Sequence, residues 1–170
     1  MITIKNTRRA ARELARAIIE TGAFPQFDLD GVLLNASHRQ ACHPDGSLNL
    51  LKYRENSTPE NIALDKEMAL IETISILNVH RIKYNVITAR VACPSTLARL
   101  ESAGIRPSIV MARNGEQDRR RDYQLKTDHL VSKFSRRERE NMLLIDDNLA
   151  NCQAVIEIGL KAIHVPFEGH

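Results

Sequence analysis

The 170-residue chain contains no tryptophan, and Tyr and Phe together make up 4% of it. So few aromatics supply a single-strand stacking platform poorly. It has only three cysteines, Cys42, Cys93 and Cys152, and none forms a CxxC pair. That excludes a disulfide framework and predicts reduced thiols, as in the cytoplasm. The six histidines are scattered without the spacing of a zinc site. No apolar run approaches the roughly 20 residues of a membrane span. No GxxxxGK[ST] loop is present, and neither is a repeat, a low-complexity tract or a clear linker. A net charge of +3 is too mild to choose a partner. The length suits one domain with a proper core over residues 1–170.

"MITIKNTRRAARELARAIIE" lacks the apolar centre of a secretory signal. Glu13 and Glu20 argue against a transit peptide, so residues 1–21 read as an N-terminal helical extension with an amphipathic helix over 7–21. Residues 24–28 read as a short strand, with Pro25 confined to its start because proline cannot donate to a ladder. Residues 34–56 are polar and irregular, with "HPDGS" as a turn signal. Thr58 and Pro59 open a helix, along which Leu64, Met68, Ile71 and Leu77 recur at helical spacing. Strands follow at "KYNVITAR", "PSIVMAR", "NMLLIDD" and "KAIHVP". The helices between them are "PSTLARLESAG", ended by Gly104, then residues 122–134 and 148–158.

Alternating strands and helices predict an α/β fold, with a central parallel sheet of about five strands and helices on both faces. The segment 34–58 becomes a flap or small cap inserted after the first strand. In such sheets ligands bind beyond the carboxyl ends of the strands. Asp28 and Asp30 lie at the end of the first strand, Thr88 at the end of the second, and Asp146 and Asp147 at the end of the fourth. Lys126, in the first turn of the helix before that fourth strand, can reach the same edge. Clustered carboxylates repel unless a cation or proton sits among them. Hard oxygen ligands suit magnesium, which would also neutralise a phosphate at this edge. The cluster therefore points to phosphoryl chemistry, which depends on positioning and charge neutralisation. Asp28 and Asp30 fall on one side of an extended strand, with Leu29 turned into the core. Gly31 then permits a sharp turn. A pKa pushed up by its neighbours would suit Asp30 to proton transfer. Taken singly, DxDG could be a calcium loop or an ordinary turn.

Receiver domains use similar groups, but there the lysine comes last. The order "FDLDG", "VITAR", Lys126, "LLIDD" resembles the haloacid dehalogenase (HAD) phosphohydrolase superfamily, over roughly residues 24–166. The resemblance implies a three-layer Rossmann-like fold. It also implies that Asp28 is the nucleophile that forms an aspartyl-phosphate and Asp30 the general acid/base. Thr88 and Lys126 would hold the phosphoryl oxygens. Magnesium would be bound by Asp28, Asp147 and the backbone carbonyl of Asp30, with Asp146 in support.

A further pattern, Asp118-x-Arg120-x-Asp122-x-x-x-Lys126, resembles the phosphatase half of phage-type polynucleotide kinases. This implies a phosphorylated substrate: a nucleic-acid 3′-phosphate end or a nucleotide. Arg90 and Arg120 are candidate substrate contacts, and so are His38, Arg39, His43, Tyr53 and Arg54 in the flap. For the Arg119–Arg121 run, a solvated, helix-capping role stands beside that reading with equal weight. The alternative functions are a module that binds phosphate or nucleic acid without catalysis, and a phosphatase of a small non-nucleotide metabolite.

Overall fold

The computed structural model describes residues 1–44, 49–115 and 117–167. Part of the turn expected at "HPDGS" lies outside the described residues.

Six strands form one parallel sheet: β1 (Ile2–Thr3), β2 (Phe24–Phe27), β5 (Asn85–Val91), β6 (Val110–Arg113), β7 (Met142–Asp146) and β8 (Lys161–His164). Their spatial order is β1-β8-β7-β2-β5-β6. The remaining two strands, β3 (Leu34–Asn35) and β4 (Lys66–Glu67), pair antiparallel as a separate ribbon. The helices are α1 (Arg8–Thr21), α2 (Leu50–Glu55), α3 (Pro59–Ala63), α4 (Ile71–Val79), α5 (Pro94–Ser102), α6 (Asp122–Lys133), α7 (Arg136–Arg139) and α8 (Leu149–Glu157).

Neighbouring strand residues divide between the two faces, as a pleated strand requires. Val86, Ile145 and Ile163 join one core with Leu14 and Ile18 of α1 and Ile74 and Leu77 of α4. Ile87, Leu144 and Ala162 join another with Leu130 of α6 and Val155 of α8. The architecture is therefore three-layered, α/β/α, with helices on both faces. Phe27 lies in the first core, its ring edge-on to Tyr84 at 5.9 Å between centroids.

The N-terminal residues hold more than the helix expected over 7–21, which is α1. Ile2 and Thr3 extend the sheet along β8, so it has six strands rather than about five. This two-residue exposed strand carries no alternation to read. Asn6 then ties the segment inward. Its amide donates to the Val32 carbonyl at 2.9 Å, and its oxygen accepts from the Leu70 N–H at 2.9 Å. Thr7 caps α1, and Gly22 closes it in the left-handed region at φ 65°.

Pro25 is the second residue of a central strand, not the first. Phe24 and Asp28 donate their N–H groups to Asn141 and Ile145 on the β7 side. Pairing with β5 begins only at Gln26. The absent N–H of Pro25 therefore faces a place where no β5 residue waits.

The single helix expected from Thr58 to beyond Leu77 is two helices. Thr58 and Pro59 do start α3, but it ends at Ala63. The chain crosses β4 before α4 begins at Ile71, and Leu64 is exposed rather than on a core face. The break falls at Asp65, whose carboxylate is wholly buried among arginines. Ion pairing at this residue overrides the helical spacing. The insertion after β2 contains β3, a 3₁₀ turn at Ser37–Arg39, and α2.

Candidate active site

The edge at the carboxyl ends of β2, β5 and β7 gathers Asp28, Asp30, Thr88, Arg90, Asp146 and Asp147. Asp28 follows the last residue of β2, and Asp146 ends β7. Thr88 is buried in the middle of β5, which runs on to Val91 rather than ending there. The pairing of β5 with β6 shifts register between Ile87 and Val91. Such an irregularity re-aims side chains near a sheet edge.

Lys126 is the fifth residue of α6, just past the first turn of the helix expected over 122–134, and it is fully buried. Its ammonium stands 2.8 Å from Asp28 Oδ1 and 2.6 Å from Asp146 Oδ2. Burial disfavours the charge, but the two carboxylates outweigh it and hold Lys126 protonated. Asp146 Oδ1 accepts from the Asn148 N–H at 2.9 Å and from Asn151 Nδ2 at 3.0 Å. Asp146 thus fixes Lys126, and α8 fixes Asp146.

Asp28, Asp146 and Asp147 each place a carboxylate oxygen within 4.8 Å of the others. Three carboxylates against one ammonium leave two negative charges over. Burial pushes the Asp28 carboxyl well above its ordinary value, and Asp146 and Asp147 add to the rise against the opposing charge of Lys126. Burial and Asp146 push Asp147 up to about 7. Hard oxygen donors with two unbalanced charges fit a divalent cation, magnesium above all.

Gly31 makes this cluster possible. It turns at φ +76°, and a Cβ there would stand 2.2 Å from Asp147 Oδ2. Glycine both permits the turn and clears space for the second acidic group.

Asp30 is separate from this cluster. Its carboxylate, 27% exposed, accepts from Arg90 Nε at 2.7 Å on one oxygen and from Arg90 Nη2 on the other. Tyr53 reaches the same carboxylate from the flap at 3.4 Å. Burial pushes Asp30 up, but Arg90, with Arg39 and Lys126 behind it, holds the carboxyl below its ordinary value. This reverses the expectation of a raised pKa. The DxD spacing suggests two like carboxylates, whereas the fold gives one to a lysine and the other to an arginine. Tyr53 is pushed up to about 12, by burial first and the Asp30 charge second.

Other candidates are placed differently from their expectation. Arg39 is turned inward at 1% exposure: Nε and Nη2 bind Asp65 at 2.8 and 2.9 Å, Nη1 binds Ser57 Oγ at 2.7 Å, and the guanidinium lies 5.1 Å from the Tyr53 ring. All three of its nitrogens are taken by the protein. His38 stands 2.9 Å from the carbonyl oxygen of Asn61 in α3. His43 is exposed and Arg54 half-buried. Arg120 is bound to Asp118 at 2.6 Å and Asp128 at 2.9 Å, while Arg119 and Arg121 remain exposed. Arg113 binds the Ala89 carbonyl at 3.0 Å, those of Asp118 and Arg120 at 2.8 Å, and Asp122 at 3.1 Å. The charge run before Lys126 is thereby fastened to β5.

Two residues escaped the sequence reading. Asp65 joins Arg39 to Arg90, and its position inside an apparent helix hid it. Asn6 holds the turn after Asp30 from far upstream, and only the topology brings it there.

No protein-family model matches the chain, and no curated protein does. Among solved structures it is similar to a HAD family enzyme from Bacteroides thetaiotaomicron, solved in complex with magnesium and inorganic phosphate. The match has 12% identity and a TM-score of 0.43, over 87% of this chain and 96% of that one.

Proposed function

We propose that the chain is a magnesium-dependent phosphomonoester hydrolase working through an aspartyl-phosphate on Asp28. The observation that carries this reading is the buried Lys126 ammonium between Asp28 and Asp146, with Asp147 in the same cluster. Such an edge has a carboxylate nucleophile, a fixed cation for phosphoryl oxygens, and an acidic surplus for a metal.

Asp28, Asp147 and the Asp30 backbone carbonyl hold magnesium in this reading, with Asp146 in support. When bound, the ion neutralises the acidic surplus and the phosphate charge. An Asp28 oxygen forms a bond to phosphorus while the bond to the leaving oxygen breaks. Asp30 gives that oxygen its proton. Asp30 then takes a proton from water, whose oxygen attacks phosphorus and returns Asp28 with inorganic phosphate. Lys126, Thr88 and the Arg90 Nη1 group bind phosphoryl oxygens. That Nη1 is buried with no partner among the described residues. In the free chain Arg90 keeps Asp30 ionised, the form a base requires. An arriving phosphate dianion draws on Arg90 and raises the proton affinity of Asp30.

For the substrate we favour a nucleic-acid 3′-phosphate end or a nucleotide. The resemblance around Asp118, Arg120, Asp122 and Lys126 supports it, together with exposed Arg119 and Arg121 in the loop leading into α6. Cytoplasmic residence is part of the same reading; no helix among the described residues is long and apolar enough to cross a membrane.

The test is hydrolysis of p-nitrophenyl phosphate, then of nucleotides and of 3′- and 5′-phosphorylated oligonucleotides, in magnesium. Asp28→Asn should lower turnover by a factor on the order of 10⁴ or more. Unchanged turnover in that variant would refute the assignment. A salt-dependent DNA or RNA complex without turnover would favour the non-catalytic alternative.

A further inference from the structure

Four charged side chains join the flap to the catalytic edge: Arg39, Asp65, Arg90 and Asp30. Asp65 stands at the crossing. Its carboxylate is fully buried and receives Arg39 through two nitrogens, at 2.8 and 2.9 Å. The same carboxylate receives Arg90 Nη2 at 2.7 Å. Its own backbone carbonyl is gripped by Arg99 of α5, through Nε at 3.0 Å and Nη2 at 2.7 Å. Asp65 is therefore fixed at its main chain and fixes two arginines with its side chain.

Arg90 in turn grips both oxygens of Asp30. A guanidinium forked onto one carboxylate and tied at its shared nitrogen to another has little freedom to swing. Without Asp65, Arg90 keeps only its fork on a part-exposed carboxylate. The buried charge of Arg39 would also lose its counter-ion. Arg39 and Arg90 would then compete for Asp30.

We propose that Asp65 is a positioning residue: acting through Arg90, it holds the Asp30 carboxyl in line with the leaving oxygen of the substrate. The inference rests on the hydrolase reading and adds to it a determinant outside the motif set. Asp65 touches neither the reacting atoms nor the metal. Its effect is on proton delivery to the leaving group, the step that alkyl phosphates need. p-Nitrophenolate departs without a proton, so the aryl ester tests attack and metal binding without that step.

The experiment compares kcat/KM, which reports the steps up to departure of the leaving group and excludes the later attack of water, on glycerol 2-phosphate and on p-nitrophenyl phosphate for the wild-type chain, Asp65→Asn, Asp65→Glu and the Asp28→Asn control, all in magnesium. Circular dichroism checks each fold. Asp65→Asn should lose about 10- to 100-fold more on the alkyl ester than on the aryl ester, since general acid catalysis contributes roughly 10²–10⁴. Asp65→Glu keeps the charge opposite Arg39 but displaces the oxygens that hold Arg90, and should show the same bias. If both variants fail to fold, Arg99→Lys decides, because it loosens the grip on the Asp65 carbonyl, along with the bond to Ser102 at 3.0 Å, and leaves the Asp65 carboxylate in place. An equal loss on both esters, with Asp28→Asn inactive, overturns the positioning role and leaves the hydrolase reading standing. Full activity in Asp28→Asn, or no hydrolysis by the wild-type chain, overturns both.

Discussion

Asp28 and Asp30 are two residues apart, yet they sit in opposite electrostatic settings. Around Asp28, carboxylates outnumber the one ammonium, and Asp28 and Asp147 are pushed above their ordinary values. Around Asp30, guanidinium groups surround a carboxylate that is held below its ordinary value. The first region attracts a cation; in the second, Arg39 and Arg90 are balanced by Asp30 and Asp65, and the buried Arg90 Nη1 is left as an open donor. Two identical side chains thus acquire opposite affinities for a proton from their neighbours alone, as in sites where environment separates acid from base.

The sharpest way to break the contrast is to remove the cation from the first region. Lys126→Met leaves Asp28 and Asp146 buried without their partner. It should cost about 3–5 kcal/mol of stability, the usual range for orphaning a buried charge. Urea unfolding measures it, and magnesium should restore part of the loss. A cost within error would mean that Lys126 does not balance these carboxylates.

Next is Gly31→Ala. The new methyl meets Asp147 Oδ2, and the positive φ is strained by about 1–2 kcal/mol for any other residue. Magnesium affinity by calorimetry should fall together with the melting temperature. A loss of stability with unchanged affinity would detach Gly31 from the metal edge.

A pH series separates the regions by sign. A carboxyl with a raised folded-state pKa contributes stability at low pH that is lost as pH rises through that value. For Asp147 the window runs from its ordinary value of 3.8 to about 7. Asp30 behaves oppositely: its contribution is present above the ordinary value and is lost as pH falls. In chelator, the melting temperature of Asp147→Asn relative to the wild-type chain should therefore rise from about pH 4 through about pH 7. Added magnesium should reverse the difference, since only the wild-type chain keeps the full acidic set. A difference independent of pH would contradict the raised value.

The smallest effect on stability is expected from Arg120→Ala, because exposed ion pairs contribute little. Turnover of a 3′-phosphorylated oligonucleotide then sharpens the substrate reading. An unchanged KM would confine Arg120 to bracing the loop with Asp118 and Asp128.

Much of the site was legible because its acidic groups sit at strand ends marked by local signals. Alternating strands and helices, Thr58-Pro59, Gly104, and the order of DxDG, Thr88, Lys126 and the acidic pair could all be read along the chain. Other features were not, because they depend on contacts distant in sequence. Leu64 looked like part of a helical face until the pull of Arg39 and Arg90 on Asp65 ended that helix. Arg39 looked like a substrate contact because nothing local marks a buried arginine. Ile2 and Thr3 become a strand only because β8 offers an open edge.

The sequence by itself determined the chemistry at hand: the acidic groups, the lysine and the layered alternation that puts them at one edge. Periodicity and turn residues act over a few positions, and so does their reading. Tertiary structure alone decided which charge meets which. It assigned Lys126 to Asp28 and Arg90 to Asp30, and it placed Asp65 between flap and edge. Electrostatic energies depend on distance and burial, which the order of residues does not contain.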